Sequence, residues 1–206
     1  FGLSDRPDPP SGLRGGRPEE ARSGFAKIDP RDVEPRLAPY VALARATVHL
    51  GGDVLLATGD FDLAALMAPG TLIEEVALRR LMVIGAEQGD KERFLRSANL
   101  YARRYMASPF AGQFAAAFTA GLAEAMAIED LPRAAAVMDG TEPAERDALY
   151  LAAAGRLALD GKLDAVKEMA RLYFLVPVEP RSAPAQRMTL YQHVAELKLG
   201  DIDAAA

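Results

Sequence analysis

The chain has 206 residues, half of them apolar, a net charge of −5 and a pI near 5.2. Its 40 Ala and 26 Leu stand against 11 Val and 5 Ile, a balance that favours helices and argues against a β-sandwich or barrel. It has no Cys and only two His, His49 and His193, which excludes disulfides, thiol catalysis and Cys-dependent zinc sites, and its acidic balance speaks against nucleic acid as a partner.

Residues 1–27 read as a Pro/Gly-rich linker or tail. Phe1 to Gly24 holds four Pro and five Gly, too little apolar surface to offset the entropy of ordering. The chain opens on Phe rather than Met, and Asp201-Ile202-Asp203-Ala204-Ala205-Ala206 resembles the first turn of a further helix. Both ends therefore read as cuts in a longer protein. No run of about 18 apolar residues suggests membrane insertion. Residues 28–206 are expected to form one α-helical repeat domain.

Within that domain the predicted helices follow in order. They are Pro35 to Leu50, Val54 to Met67, Leu72 to Gln88, Lys91 to Met106 and Pro109 to Ile128, then a short Leu131 to Met138. After them come Pro143 to Leu159, Lys162 to Phe174, a loop from Val176 to Pro184, and a last helix from Ala185 to Leu199. Thr71 and Glu74 fit a capping box at the start of the third helix. Asp90 is placed to cap the fourth.

A tight break recurs along the chain. Gly161-Lys162-Leu163-Asp164-Ala165 matches Gly200-Asp201-Ile202-Asp203-Ala204, with Gly51-Gly52-Asp53, Gly89-Asp90 and Glu129-Asp130-Leu131 at equivalent turns. The intervals between these breaks are 38, 40, 32 and 39 residues. Periods of this size mark helix-hairpin repeats of tetratricopeptide type. The expected fold is an all-α, tetratricopeptide-like solenoid of about five helix pairs, the last one truncated. The competing arrangement is an irregular helical bundle.

The fourth helix shows its core face in Phe94, Ala98, Tyr101 and Tyr105, spaced as one stripe. Its other flank carries Arg93, Arg96, Arg103 and Arg104 around Leu100, with no acid among them. That flank reads either as a docking surface for a carboxylate-bearing partner or as a solvated helix face. On the third helix, Arg80 falls in the middle of an arc formed by Leu72, Ile73, Val76, Ala77, Val83 and Ile84, while Arg79 points more outward. A guanidinium in that arc requires a partner and reads as a structural tie between helices. Glu74-Glu75 open a helix, where the macrodipole favours acids, and Glu19-Glu20 are a second adjacent acidic pair. Met67, Met82, Met106, Met126, Met138, Met169 and Met188 read as gap-fillers in helix packing. His49 and His193 are isolated and give no metal pattern. No GxSxG, HExxH, Walker A or GxGxxG motif occurs, so no catalytic residue and no cofactor is expected.

Two segments carry a resemblance. One runs from Leu66-Met67-Ala68-Pro69-Gly70-Thr71 through Leu72-Ile73-Glu74-Glu75-Val76-Ala77-Leu78-Arg79-Arg80. The other is Tyr101-Ala102-Arg103-Arg104-Tyr105-Met106-Ala107-Ser108-Pro109-Phe110-Ala111-Gly112-Gln113-Phe114. With Ile28-Asp29-Pro30-Arg31 and Ala148-Leu149-Tyr150, they resemble the MotC family, periplasmic accessory proteins of the bacterial flagellar motor. The resemblance covers roughly Ile28 to the end. It implies a non-enzymatic protein exported to the periplasm, associated with the periplasmic region of the stator protein MotB and needed for motor rotation. It also implies a longer protein with a further portion before these segments. It transfers no site residue. The absence of Cys is compatible with an oxidising compartment. The alternative function is a generic tetratricopeptide-like peptide-binding scaffold or chaperone unrelated to motility.

Overall fold

The computed structural model describes residues 23–25 and 27–197. Of the expected linker over 1–27, residues 1–22 and 26 lie outside the described residues, and residues 23–25 are helical. Glu19-Glu20, the Gly200 turn and the last partial helix also lie outside the described residues. The chain divides into two compact units, Phe1–Met67 and Ala68–Ala206, each of which is helical where described.

The first unit is a helix hairpin of α1 (Ala38–His49) and α2 (Val54–Met67), preceded by a 3-10 turn at Pro30–Asp32. The Asp29 carboxylate accepts from the Arg31 amide and starts that turn. Helix α1 begins at Ala38 rather than Pro35 because the chain first makes a turn on the Glu34 carbonyl, which accepts from the Leu37 and Ala38 amides. Between the helices the His49 carbonyl accepts from both Gly52 and Asp53, and Asp53 caps α2 through the Leu56 amide. Ala42, Ala46, Ala57 and Ala64 are fully buried with Phe61. Alanine at these sites lets the two helices close upon each other, which accounts for part of the alanine excess.

The second unit contains α3 (Leu72–Glu87), α4 (Lys91–Arg104), α5 (Ala111–Ala125), α6 (Leu131–Asp139), α7 (Pro143–Leu159), α8 (Leu163–Tyr173) and α9 (Ala183–Glu196), with a 3-10 turn at Ile128–Asp130 before α6. Helices α3, α5, α7 and α9 pack each on the next as one layer, and α4, α6 and α8 form a second layer on them. This alternation is the expected helix-pair stacking. The short α6 rests on α4, α7 and α8.

Of the four described recurring breaks, those at Gly89 and Gly161 share a mechanism, while Gly51-Gly52-Asp53 closes on the His49 carbonyl and Glu129-Asp130 lies in a 3-10 turn. Gly89 and Gly161 both adopt positive φ, 68° and 71°, where side-chain-bearing residues are strained. Gly89 donates to Ala86 as Gly161 does to Ala158, and each glycine carbonyl accepts from the residue two further on, Lys91 or Leu163. The intra-pair turns after α3 and α7 therefore share the glycine and its two bonds, and differ in the residue that follows: Asp90 caps α4, whereas the Lys162 amide donates to the Leu157 carbonyl.

Helix boundaries shift where a cap acts. Helix α9 begins at Ala183 and includes Pro184, because Ser182 caps the Ala185 amide and a proline in the first turn gives up no helical bond. Helix α5 starts at Ala111 rather than Pro109 and stops at Ala125, where Met126 turns extended. The Thr71–Glu74 capping box is replaced by a wider arrangement. Thr71 Oγ1 accepts from the Ile73 amide, and Glu74 reaches back to the Gly70 amide rather than to Thr71.

The core runs without interruption from Leu78 to Ala195. The stripe Phe94, Ala98, Tyr101 and Tyr105 is buried as expected. Tyr101 stacks on Phe114 at 4.3 Å, Phe114 on Phe118 at 5.6 Å, and Phe118 on Phe94 at 5.6 Å. These four rings form a continuous spine between α4 and α5. Met82, Met138, Met169 and Met188 fill the same core.

Candidate functional site

Helices α3 and α5 border a cavity of about 220 Å³ lined by Val76, Arg79, Arg80, Val83, Gln113 and Ala117. The α3 residues lie on the side of the helix away from Leu78. Its walls are aliphatic, and its polar groups belong to two arginines and a glutamine. Arg79 is half-buried. It donates through Nη1 to Gln113 Oε1, and its guanidinium lies 5.2 Å from the Phe110 ring centroid. Its buried Nε has no hydrogen-bond partner among the described residues. Arg80 beside it is exposed and makes no hydrogen bond or ion pair among the described residues.

This reverses the expected roles of the two arginines. The expected arc passed through Leu72 and Val83, yet Leu72 is 57% exposed and Val83 only half-buried. The buried arc instead runs through Ile73, Ala77, Leu78, Leu81, Met82 and Gly85. Its rotation turns Arg80 to solvent and tucks Arg79 against α5. Phe110 and Gln113, which hold Arg79, escaped sequence reasoning because they sit 31 and 34 positions away.

Behind the groove, Glu74 and Glu75 are buried, each 4% exposed. Their position at a helix start agrees with the macrodipole argument, but they also tie α3 to α4. Glu75 Oε1 accepts from the Tyr101 hydroxyl and the Ser108 hydroxyl, both at 2.7 Å. Glu74 Oε2 accepts from the Gly70 amide and the Tyr105 hydroxyl, both at 2.6 Å, while Arg104 Nη1 donates to Oε1. Burial first, and the adjoining carboxylate second, push the Tyr101 and Tyr105 hydroxyls well above the ordinary tyrosine value.

The arginine flank of α4 divides. Arg96 and Arg103 are exposed, seven residues apart on one line of the helix, and Leu100 between them is half-buried against the core. Arg93 pairs with Asp90 at 3.3 Å. Arg104 pairs with Glu74.

His49 is buried and its Nδ1 lies 3.0 Å from Asp60 Oδ2, whereas His193 is exposed on α9. Among the described residues no group of three or more His, Asp or Glu is placed to hold a metal ion. Among them no helix is long and apolar enough to cross a membrane. The chemistry the groove can perform is recognition. Planar guanidinium donors beside an aliphatic wall suit a carboxylate on an apolar stem.

Fold and groove together mark an all-α repeat protein with an arginine-bearing face. The family described as Chemotaxis protein MotC matches residues 14–206. The Chemotaxis protein MotC of Rhizobium meliloti (strain 1021) is 33% identical over 183 residues, 88% of this chain. The chain belongs to the MotC family. It spans 42% of the length of that curated relative. No solved structure matches it significantly. Residues 70–80 and 101–114, within the two segments that carry the resemblance, meet in the structure through Glu74, Glu75, Tyr101, Tyr105 and Ser108.

Proposed function

We propose that this chain is a non-enzymatic protein-binding module of the flagellar motor. In this reading it works in the periplasm, holds the periplasmic region of the stator protein MotB and so supports rotation. Membership of the MotC family is the observation that carries the reading. The layered helix pairs support it physically, since stacked hairpins expose long faces on which a protein segment can lie. The flank of α4 formed by Arg93, Arg96, Leu100, Arg103 and Arg104 is proposed as one contact face. Arg96 and Arg103 are exposed and in no ion pair among the described residues.

The test is calorimetry of the full chain against the purified periplasmic domain of MotB, paired with swimming assays of a deletion strain. Expected are measurable binding that weakens as salt rises and loss of swimming on deletion. The double variant Arg96→Glu, Arg103→Glu is expected to lower affinity about tenfold through repulsion of partner carboxylates. Unchanged affinity of that variant would leave the flank a solvated helix face. No binding by the full chain, together with normal swimming of the deletion strain, would overturn the motor reading.

A further inference from the structure

We propose that the α3–α5 groove is a receptor for one glutamate side chain presented by a protein partner. Its carboxylate takes donors from Arg79 and Arg80, and its methylene stem lies between Val76, Val83 and Ala117. The inference rests on the reading of the chain as a protein-binding module and specifies where, and by what chemistry, a partner is held.

Size narrows the occupant first. Small-molecule sites occupy roughly 300–1,000 Å³, and this cavity is about 220 Å³. The groove is open to solvent, and its enclosed part matches one side chain and its hydration.

Charge narrows it further. A guanidinium has five N–H donors in a fixed plane. Arg79 uses one on Gln113, and Arg80 uses none among the described residues. Some other arginines of this acidic chain are matched with acids, Arg45 with Asp60, Arg104 with Glu74 and Arg133 with Glu92, whereas Arg79 and Arg80, like the exposed Arg96 and Arg103, are in no ion pair among the described residues. Glu75, four residues before Arg79, has its Oε1 engaged by Tyr101 and Ser108. Glu75 is a nearby acid but gives neither arginine an ion pair among the described residues, so both guanidinium groups retain donors for an incoming carboxylate.

Preorganisation supports the same conclusion. The Phe110 ring under the Arg79 guanidinium and the Gln113 bond hold that side chain in place before anything arrives, which lowers the entropy cost of binding. The aliphatic walls favour an anion on a short apolar stem over inorganic phosphate or a nucleic-acid backbone.

The test titrates the isotope-labelled full chain with a blocked peptide, acetyl-Ala-Glu-Ala-amide. Acetyl-Ala-Gln-Ala-amide and inorganic phosphate are the comparison probes. The glutamyl peptide is expected to shift the Val76 and Val83 methyl signals and the Arg79 Nε–H signal saturably, with the glutaminyl peptide about tenfold weaker. Arg79→Gln and Arg80→Gln each reduce affinity about fivefold, and Arg79→Lys falls between, since it keeps the charge but loses the planar fork. Circular dichroism checks folding; should Arg79→Gln unfold, the exposed Arg80→Gln decides. Equal binding of both peptides, no saturable shift, or phosphate displacing the glutamyl peptide at equal concentration would each overturn the proposal. The titration needs no MotB. Saturable peptide binding without MotB binding, with normal swimming of the deletion strain, would therefore remove the motor reading alone, and MotB binding without any peptide shift would remove the groove alone.

Discussion

Gly85 on α3 lets the backbone of α4 pass so close that a Cβ at Gly85 would stand 2.6 Å from the Phe94 amide nitrogen and 3.0 Å from its Cα. Backbone cannot swing aside as a side-chain tip can. Gly85→Ala is therefore expected to destabilise the protein by about 2–3 kcal/mol despite alanine's better helix propensity. Gly59 is the internal control. It lies exposed within α2 with nothing within 4 Å of a built Cβ, so Gly59→Ala should stabilise by about 0.5–1 kcal/mol. Urea midpoints of the two variants should move in opposite directions. A neutral Gly85→Ala would show that the α3–α4 crossing relaxes easily.

Glu74 is the acid on which three donors converge, from Gly70, Arg104 and Tyr105. Glu74→Ala should cost about 2–4 kcal/mol, since it leaves the buried Tyr105 hydroxyl without its carboxylate. The Arg104 side chain is 46% exposed and recovers water, which keeps the loss below that of a fully buried pair. Tyr105→Phe removes one donor and should cost about 1–2 kcal/mol. Chemical denaturation of the two single variants and the double variant gives the coupling. Strict additivity would mean that Tyr105 and Glu74 do not act together.

The tyrosines on these carboxylates predict alkaline behaviour. Tyr101, Tyr105 and Tyr150 are raised above the usual value near 10, first by burial and then by Glu75, Glu74 and Asp139 respectively. A group raised in the folded state contributes stability that is complete below its unfolded value. That contribution is lost as pH climbs from there toward the folded value. Urea midpoints should thus hold steady up to about pH 9 and fall above about pH 10. Tyr101→Phe should lower the plateau slightly and flatten the alkaline fall. An unchanged alkaline slope in Tyr101→Phe would show that Tyr101 ionises as freely folded as unfolded.

The fold was readable in the sequence because its signals are local. Apolar spacing, Asp90 and Gly89 each act within a turn of the residue they govern, and the repeat of 32 to 40 residues follows from repeating that grammar. The groove was not readable for the converse reason. Whether Arg79 or Arg80 faces the core depends on a rotation of α3 that only packing against α4 and α5 decides, and the two side chains differ by one position. Glu74 and Glu75 illustrate the same limit. Their place at a helix start accounts for two acids, yet nothing local announces Tyr101, Tyr105 and Ser108, which lie 26 to 33 residues on. The resemblance segments contain both halves of that contact without revealing that they touch.

The hairpin of the first unit is held by one carboxylate. Asp60 on α2 accepts from Arg45 Nε at 2.8 Å and pairs with Nη2 at 2.7 Å, while His49 Nδ1 lies 3.0 Å from the same group. Arg45 Nη1 also donates to the Ile28 carbonyl at 2.7 Å, which fastens the segment before α1. Asp60 is 4% exposed, so removing it strands a guanidinium and an imidazole with little water. Asp60→Ala should cost about 3 kcal/mol. Because each 1.4 kcal/mol is a factor of ten in an equilibrium, amide exchange in α1 and α2 should quicken by about a hundredfold. Asp60→Asn keeps the shape and one acceptor and should lose about half as much. An acceleration below tenfold in Asp60→Ala would show that the buried alanines and Phe61 hold the hairpin by themselves, with the ion pair adding geometry rather than stability.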